Sequence, residues 1–156
     1  MEKTLIIIKP DGVQRRLVGQ ILSRFEQKGL KIVGLKMLRI SKALAERHYA
    51  VHREKKFYDS LIKFITSSPV VVFVLEGKGA IAIARKMMGK PFGSEADAGT
   101  IRGDFGVSNS FNLIHGSDSP EAARTELKLF FEPRELLAYD TADSAWIYDW
   151  SKGDPE

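Results

Sequence analysis

Apolar positions along the chain fall into short runs and helical stripes set apart by turn residues. Thr4 to Ile8 is an apolar run ended by Lys9-Pro10-Asp11-Gly12, which reads as a first strand and a turn. Leu17, Ile21, Leu22 and Phe25 recur at helical spacing, and Gly29 just past them is a helix stop. Leu30 to Ile40, rich in Ile, Val and Leu, predicts a second strand. Ser41 can cap a helix from Lys42 to about Ala50. A further helical face carries Phe57, Leu61, Phe64 and Ile65 and is broken by Ser67-Ser68-Pro69. Val70 to Glu76, β-branched and bounded by Pro and Gly, is the clearest strand. Ala80 to Met88 predicts a helix stopped by Gly89.

Lys90 to Phe111 shows no period and holds glycines at 93, 99, 103 and 106. A loop of that length in a compact domain is usually functional or disordered. Asn112 to His115 predicts a short last strand. Ser119-Pro120 starts a helix to about Phe131, with Ser as cap and Pro as first helical residue. Asp149 to Glu156 is polar and reads as a loose tail. Stripped of extra helices, the order reduces to βαββαβ, the ferredoxin-like split unit of an α/β (α+β) chain.

Length and composition narrow the class. At roughly 100–200 residues per domain, the 156 residues make a single domain, 1–156. A hydrophobic share of 44% with 28% charged excludes disordered and collagen-like chains. Lys and Arg outnumber Asp and Glu by 24 to 20, a net +4 that suits an anionic ligand without implying nucleic acid. The chain has no cysteine, so a disulfide scaffold, a thiolate nucleophile and a Cys zinc site drop out. The opening apolar run is too short for a signal peptide. The longest run, Val70 to Leu75, is far below the ~20 residues that cross a bilayer. The expectation is a cytoplasmic protein without a membrane segment.

Several motifs compete for the chemistry. Gly77-Lys78-Gly79-Ala80-Ile81-Ala82 fits G-x-G-x-x-[GA], but the strand with an acidic end that a dinucleotide site needs does not follow. It reads as a tight strand-to-helix turn. His48 and His52 stand at metal-binding i,i+4 spacing, yet no third ligand is evident and the pair reads as solvent-facing. Arg102-Gly103-Asp104 carries no adhesion meaning in a chain without an export signal.

Asn112-Leu113-Ile114-His115-Gly116-Ser117-Asp118 has more to offer, because it ends a strand just before a helix N-terminus. Such a terminus suits an anion. Glu126 falls on the rim of the apolar face formed by Ala123, Leu127 and Phe130 and must find a partner there. His115 or Ser117 is the natural one. A carboxylate that fixes one imidazole nitrogen leaves the other free and more nucleophilic. Lys9, Arg85 and Arg102 can gather near that histidine and describe a polyphosphate site, although each alone reads as a solvated charge.

Together these residues make the chain resemble the nucleoside diphosphate kinase family. The likeness runs from about Thr4 to Trp150 and rests on three motifs in order: Lys9-Pro10-Asp11-Gly12-Val13, Gly99-Thr100-Ile101-Arg102-Gly103-Asp104-Phe105, and Asn112-x-x-His115-Gly116-Ser117-Asp118. The resemblance implies a ferredoxin-like sandwich on a four-stranded antiparallel sheet. It implies transfer of the γ-phosphate of ATP or another nucleoside triphosphate to nucleoside diphosphates, ping-pong, through a phosphohistidine on His115. In that scheme His115 attacks through Nδ1, Glu126 holds the other nitrogen, and Ser117 bonds Glu126. Lys9 and Tyr49 lie at the transferred phosphate, with Lys9 also at the ribose. Arg85 and Arg102 clamp the β-phosphate side, Asn112 bonds the ribose 3′-hydroxyl, and Phe57 stacks on the base beside Leu61. Gly116 and position 91 belong to the nucleotide-binding set. Mg2+ arrives with the nucleotide, and Asp118 can touch it through water. The family is homo-oligomeric; the segment Trp146 to Trp150 looks more like hexameric than tetrameric members.

The chain departs from the family in one loop. Pro91 stands where the family has a Thr whose hydroxyl bonds a phosphate, and Pro supplies neither hydroxyl nor N–H. Gly93 replaces a family proline, and Asn109 stands where many members place an aliphatic residue against the base. Two other readings stay in view: a phosphohistidine relay or scaffold with little turnover, and a nucleic-acid binder, which lacks a basic run or an aromatic platform beyond Phe57.

Overall fold

Strand β1 (Glu2–Ile8) is apolar on both faces because both are covered: Leu5, Ile6, Ile7 and Ile8 are all fully buried. In the computed structural model, which describes residues 1–156, β1 is an inner strand. It pairs antiparallel with β3 (Val70–Gly77) and with β4 (Ile114–Gly116), and β3 pairs antiparallel with β2 (Lys31–Leu38). The order β2-β3-β1-β4 is the four-stranded antiparallel, ferredoxin-like sheet the sequence suggests.

Side chains alternate across a strand, so each face owns its own core. Ile6, Ile8, Val71, Phe73 and Leu75 face α2 (Val18–Gln27) and α5 (Ala80–Met88). Leu5, Ile7, Val70, Val72 and Val74 face α3 (Lys42–His48), α4 (Tyr58–Ile65) and α7 (Pro120–Phe130). The same alternation settles the direction of β4. Ile114 and Gly116 oppose Ile8 and Ile6, and His115 opposes Ile7. His115 therefore rises on the α3 and α7 side.

Three segments differ from the sequence reading. Pro10-Asp11-Gly12 is not a turn but the start of α1 (Pro10–Gln14), with Pro in the first turn where its missing N–H costs nothing. Lys90 to Phe111 is not wholly irregular: it holds a 3-10 turn, Gly93–Glu95, and α6 (Ile101–Phe105). Thr100 caps α6 by accepting from the Gly103 N–H at 3.0 Å, and Ile101 is fully buried. A helix this short shows no apolar period, so the pattern cannot reveal it. The last strand spans Ile114–Gly116 rather than Asn112–His115, because Leu113 at φ +72° breaks the extended backbone. Beyond α7 come a 3-10 turn at Pro133–Glu135 and α8 (Ser144–Ile147). No helix is long and apolar enough to cross a membrane.

Gly93 is fixed by close packing. A Cβ there would lie 2.5 Å from the Gly106 carbonyl oxygen, so the 3-10 turn sits directly on the backbone that follows α6.

Candidate active site

His115 emerges from β4 beside the central strand, and α7 brings a carboxylate to it. His115 Nε2 lies 2.9 Å from Glu126 Oε1, and the Ser117 hydroxyl donates to Glu126 Oε2 at 2.6 Å. Ser117 is itself pinned, accepting from the Leu5 N–H at 3.2 Å. Burial alone would raise the Glu126 carboxyl, but the bond from His115, its charge and the Ser117 bond together hold it below its ordinary range. A carboxylate that accepts from Nε2–H selects the tautomer with its lone pair on Nδ1. Nδ1 has no protein hydrogen bond.

Cations gather around this imidazole, and two of them are buried rather than solvated. Lys9 follows the last residue of β1 and is only 8% exposed; its Nζ donates to Asn112 Oδ1 at 2.8 Å. Burial, with the Arg102 charge, lowers its ammonium to about 8 against partial support from Asp11. Arg102, on α6, is 6% exposed. Its guanidinium donates to the carbonyls of Asn112 at 3.2 Å, Gly89 at 2.9 Å and Ile114 at 2.6 Å. Burial and the neighbouring Arg85 lower it to about 10. Arg85, on α5, is exposed and reaches the Gly116 carbonyl at 3.3 Å. Arg102 thus ties the end of α5 to the segment that enters β4, as well as being a charge.

The segment between Lys9 and His115 is bent sharply. The Ile114 N–H donates to the Asn112 carbonyl at 2.8 Å across Leu113, whose φ is +72°. That is a γ-turn of the strained hand. Leu113 is clamped on both sides: its N–H donates to Asp11 Oδ2 at 3.0 Å, and its carbonyl accepts from the Lys9 N–H at 2.8 Å. Asn112 also donates from Nδ2 to the Pro91 carbonyl at 2.9 Å. Pro91 therefore enters the site through its backbone oxygen.

His48 is not solvent-facing, which corrects the sequence reading for that residue, whereas His52 stays partly exposed. A row of rings runs from the imidazole of His115 to the half-exposed Phe57. His48 stands edge-on to His115 with centroids 4.8 Å apart, then Tyr49, His52 and Phe57 follow at 4.5, 6.3 and 5.7 Å. Burial first, then the charge of His115, pushes the His48 imidazolium down to about 3. Tyr49, at the C-terminal end of α3, is buried with its hydroxyl unpartnered; burial raises that phenol. Phe57 is 50% exposed, which sets it apart from core packing, whereas Leu61 is half-buried and packs against the core of that face. Asp118 is exposed beside the helix start of α7.

The structure thus brings together His115, Glu126, Ser117, Lys9, Asn112, Arg102, Arg85 and Gly116, with Tyr49 reached through His48. Phe57 and Leu61 stand further out along the ring row. Three participants escaped the sequence reading: His48, Asp11 and the backbone of Leu113. Asp11 had a signal, since it sits in the Lys-Pro-Asp-Gly motif. Leu113 had none, because nothing in its type announces a positive φ. A separate cavity of about 300 Å³, lined by Gly29, Lys31, Glu76, Tyr148 and Trp150, holds none of these residues.

Known proteins resemble this chain in sequence and in fold. Residues 2–136 match the family model for nucleoside diphosphate kinase. A nucleoside diphosphate kinase of a Picosynechococcus species is 56% identical over 149 residues, 96% of this chain and 100% of the relative. One of Listeria monocytogenes is 56% identical over 147 residues, 94% of this chain and all of its own. Among solved structures, a halophilic nucleoside diphosphate kinase from Halobacterium salinarum in complex with CDP superposes with a TM-score of 0.93 at 49% identity, covering 95% of this chain and 99% of that one. A nucleoside diphosphate kinase family protein from Babesia bovis gives 0.92 at 44% identity over 95% of this chain and 100% of its own. The chain belongs to the nucleoside diphosphate kinase family, and is thereby an enzyme of phosphoryl transfer between nucleotides.

Proposed function

We propose that the chain moves the γ-phosphate of a nucleoside triphosphate, chiefly ATP, to a nucleoside diphosphate in two half-reactions through a phosphohistidine on His115. The observation that carries this reading is the His115–Glu126–Ser117 chain, which occupies Nε2 and Glu126 and leaves Nδ1 without a protein partner. In the first half-reaction Nδ1 attacks the γ-phosphorus, an N–P bond forms, the bond to the β,γ-bridging oxygen breaks, and the diphosphate leaves. In the second, a β-phosphate oxygen of another diphosphate attacks the phosphorus, and the N–P bond breaks. The imidazole needs no separate base, because the attacking nitrogen already carries its lone pair.

Phosphoryl transfer asks the protein mainly for in-line placement and for charge around the equatorial oxygens. Lys9 and Tyr49 serve the transferred phosphate, and Arg85 with the remaining N–H groups of Arg102 serves the β-phosphate. Asn112, set by Lys9 and Pro91, takes the ribose 3′-hydroxyl. Phe57, half-exposed, stacks on the base beside Leu61, and stacking tolerates any base. Gly116 places its carbonyl against Arg85 and keeps the floor of the cleft thin. With Pro91 in place of a hydroxyl, the loop contributes to binding through its carbonyl's hold on Asn112.

The donor set fits magnesium only as part of the nucleotide. A hard dication wants several oxygen ligands, and this cleft is rich in cations with one exposed carboxylate at Asp118. Mg2+ held on the phosphate oxygens supplies charge neutralisation, and Asp118 is the group that bonds its water.

We place the chain, as one domain, in a cytoplasmic homo-oligomer, a hexamer ahead of a tetramer. Exposed Leu35 and Met37 on β2, at the sheet edge, support self-association. Initial rates with ATP and dTDP varied together test the reaction: parallel double-reciprocal lines, abolished in His115→Ala, are expected. Intersecting lines would contradict the phosphohistidine route.

A further inference from the structure

The sequence offers His48 and His52 as a metal pair lacking a third ligand. The structure breaks that pair and builds a different set. One ligand atom each of His48, His115 and Glu126 lie within 4.8 Å of one another. His52 points its ring along Tyr49 and Phe57 instead. Both ring nitrogens of His48 are buried without a hydrogen-bond partner. The rings packed on His48, those of Tyr49, His115 and Phe130, leave both nitrogens unpaired. A buried polar atom left unpaired is costly and calls for an explanation.

We infer that His48, His115 and Glu126 form a binding site for a borderline-soft divalent transition ion, Zn2+ or Cu2+, which arrests the enzyme in an unphosphorylated state.

Two imidazoles and one carboxylate are a donor set that zinc accepts with a fourth position left open. Copper(II) favours the same nitrogens more strongly. Magnesium prefers oxygen and would not compete here. The ion enters between His115 Nε2 and Glu126 Oε1, now 2.9 Å apart. Ligand bonds of about 2.0–2.2 Å require that gap to open slightly, and His48 closes the third side. Ser117 keeps its 2.6 Å bond to Glu126 Oε2 and so orients the carboxylate from behind. Lys9 and Arg85 oppose any cation in this cleft, so the donors' softness rather than net charge selects the ion.

The inhibitory step follows from the tautomer and rests on the proposed nucleophile. A neutral imidazole bound to a metal through Nε2 carries its proton on Nδ1. The proton that Nε2 shared with Glu126 is moved to Nδ1, and the lone pair that would attack phosphorus is gone. No redox change or further reactant is involved.

The test titrates the nucleotide-free full chain with ZnCl2 by calorimetry and with CuCl2 by electron paramagnetic resonance. ATP-dependent labelling is then followed with the ion present at fixed excess Mg2+. One ion per chain is expected, with two nitrogen ligands on copper and labelling blocked until a chelator is added. His48→Phe keeps a ring and loses both nitrogens, and Glu126→Gln keeps the shape and loses the charge. Each is expected to weaken binding by at least about tenfold, while His52→Ala stays within about twofold of the parent. Circular dichroism establishes that each variant is folded. No binding, binding indifferent to His48, or binding lost in His52→Ala would overturn the site. Tight binding without loss of labelling would overturn its inhibitory role. Should the metal-free chain fail to label at all, the kinase mechanism fails, while the calorimetry still decides the site.

Discussion

The backbone N–H of Leu113 donates to Asp11 Oδ2 at 3.0 Å, across 102 residues of sequence. That bond ties the start of α1 to the one strained residue of the site, whose φ is +72°. A non-glycine residue held there costs about 1–3 kcal/mol and persists only when its surroundings over-determine it. Asp11 is half of that determination; the Lys9 N–H is the other.

Asp11→Ala therefore releases the turn that aims Asn112 and His115. We expect a stability loss of about 1–3 kcal/mol in urea unfolding and a slower single-turnover labelling rate. Asp11→Asn retains an acceptor and is expected to recover most of the rate. Equal labelling in the parent and the Ala variant would show that the turn needs no carboxylate.

Lys9 is a charge placed where folding would prefer none. Its ammonium falls to about 8 through burial and Arg102, against Asp11. The unfolded chain holds that proton up to about 10.4, so from about pH 8 upward the unfolded state binds more protons and stability rises. Lys9→Met removes the burden and is expected to gain on the order of 2 kcal/mol near pH 7, while labelling drops at least about a hundredfold. In the parent, kcat/KM should fall as pH rises past about 8. A less stable Met variant would mean that the bond to Asn112 outweighs desolvation.

Ser117→Ala removes one of the two bonds that hold the Glu126 carboxyl down. A depressed carboxyl contributes stability above its unfolded value, about 4.3, and loses it as pH falls through the folded value. The variant should therefore unfold at a higher pH on acidification, and the acid limb of its kcat/KM profile should move the same way. Carboxyl titration by NMR gives the direction directly.

The 91–93 loop separates binding from packing. Pro91→Thr offers a hydroxyl to the phosphates, worth about 1 kcal/mol, so KM should fall roughly fivefold with kcat little changed. Gly93→Ala forces a Cβ to 2.5 Å from the Gly106 oxygen and should lower the melting temperature. Unchanged melting would show that the turn can slide.

The sheet was legible because Leu5 to Ile8 of β1 and Val70 to Leu75 of β3 are unbroken apolar runs bounded by turn residues, and α5 and α7 carry their stops and caps in sequence. The pairing of Glu126 with His115 and Ser117 was legible through the rim position of Glu126. What escaped depends on packing that no local pattern encodes. Helix α6 is too short for a period. The burial of His48 comes from α7 folding Phe130 over it. Arg102 is buried against the carbonyls of Gly89, Asn112 and Ile114, and Lys9 against the Asn112 side chain. The strained turn at Leu113 is imposed by Asp11 and Lys9, not by leucine.

The most direct test of the central claim mixes the chain with γ-labelled ATP and magnesium and no acceptor. Acid-labile, base-stable label is expected on His115 Nδ1, absent in His115→Ala and lost to GDP or CDP on chase. Label elsewhere, or on Nε2, would contradict the roles given to Glu126 and Ser117. Label that does not chase would make the chain a phosphohistidine relay rather than a kinase.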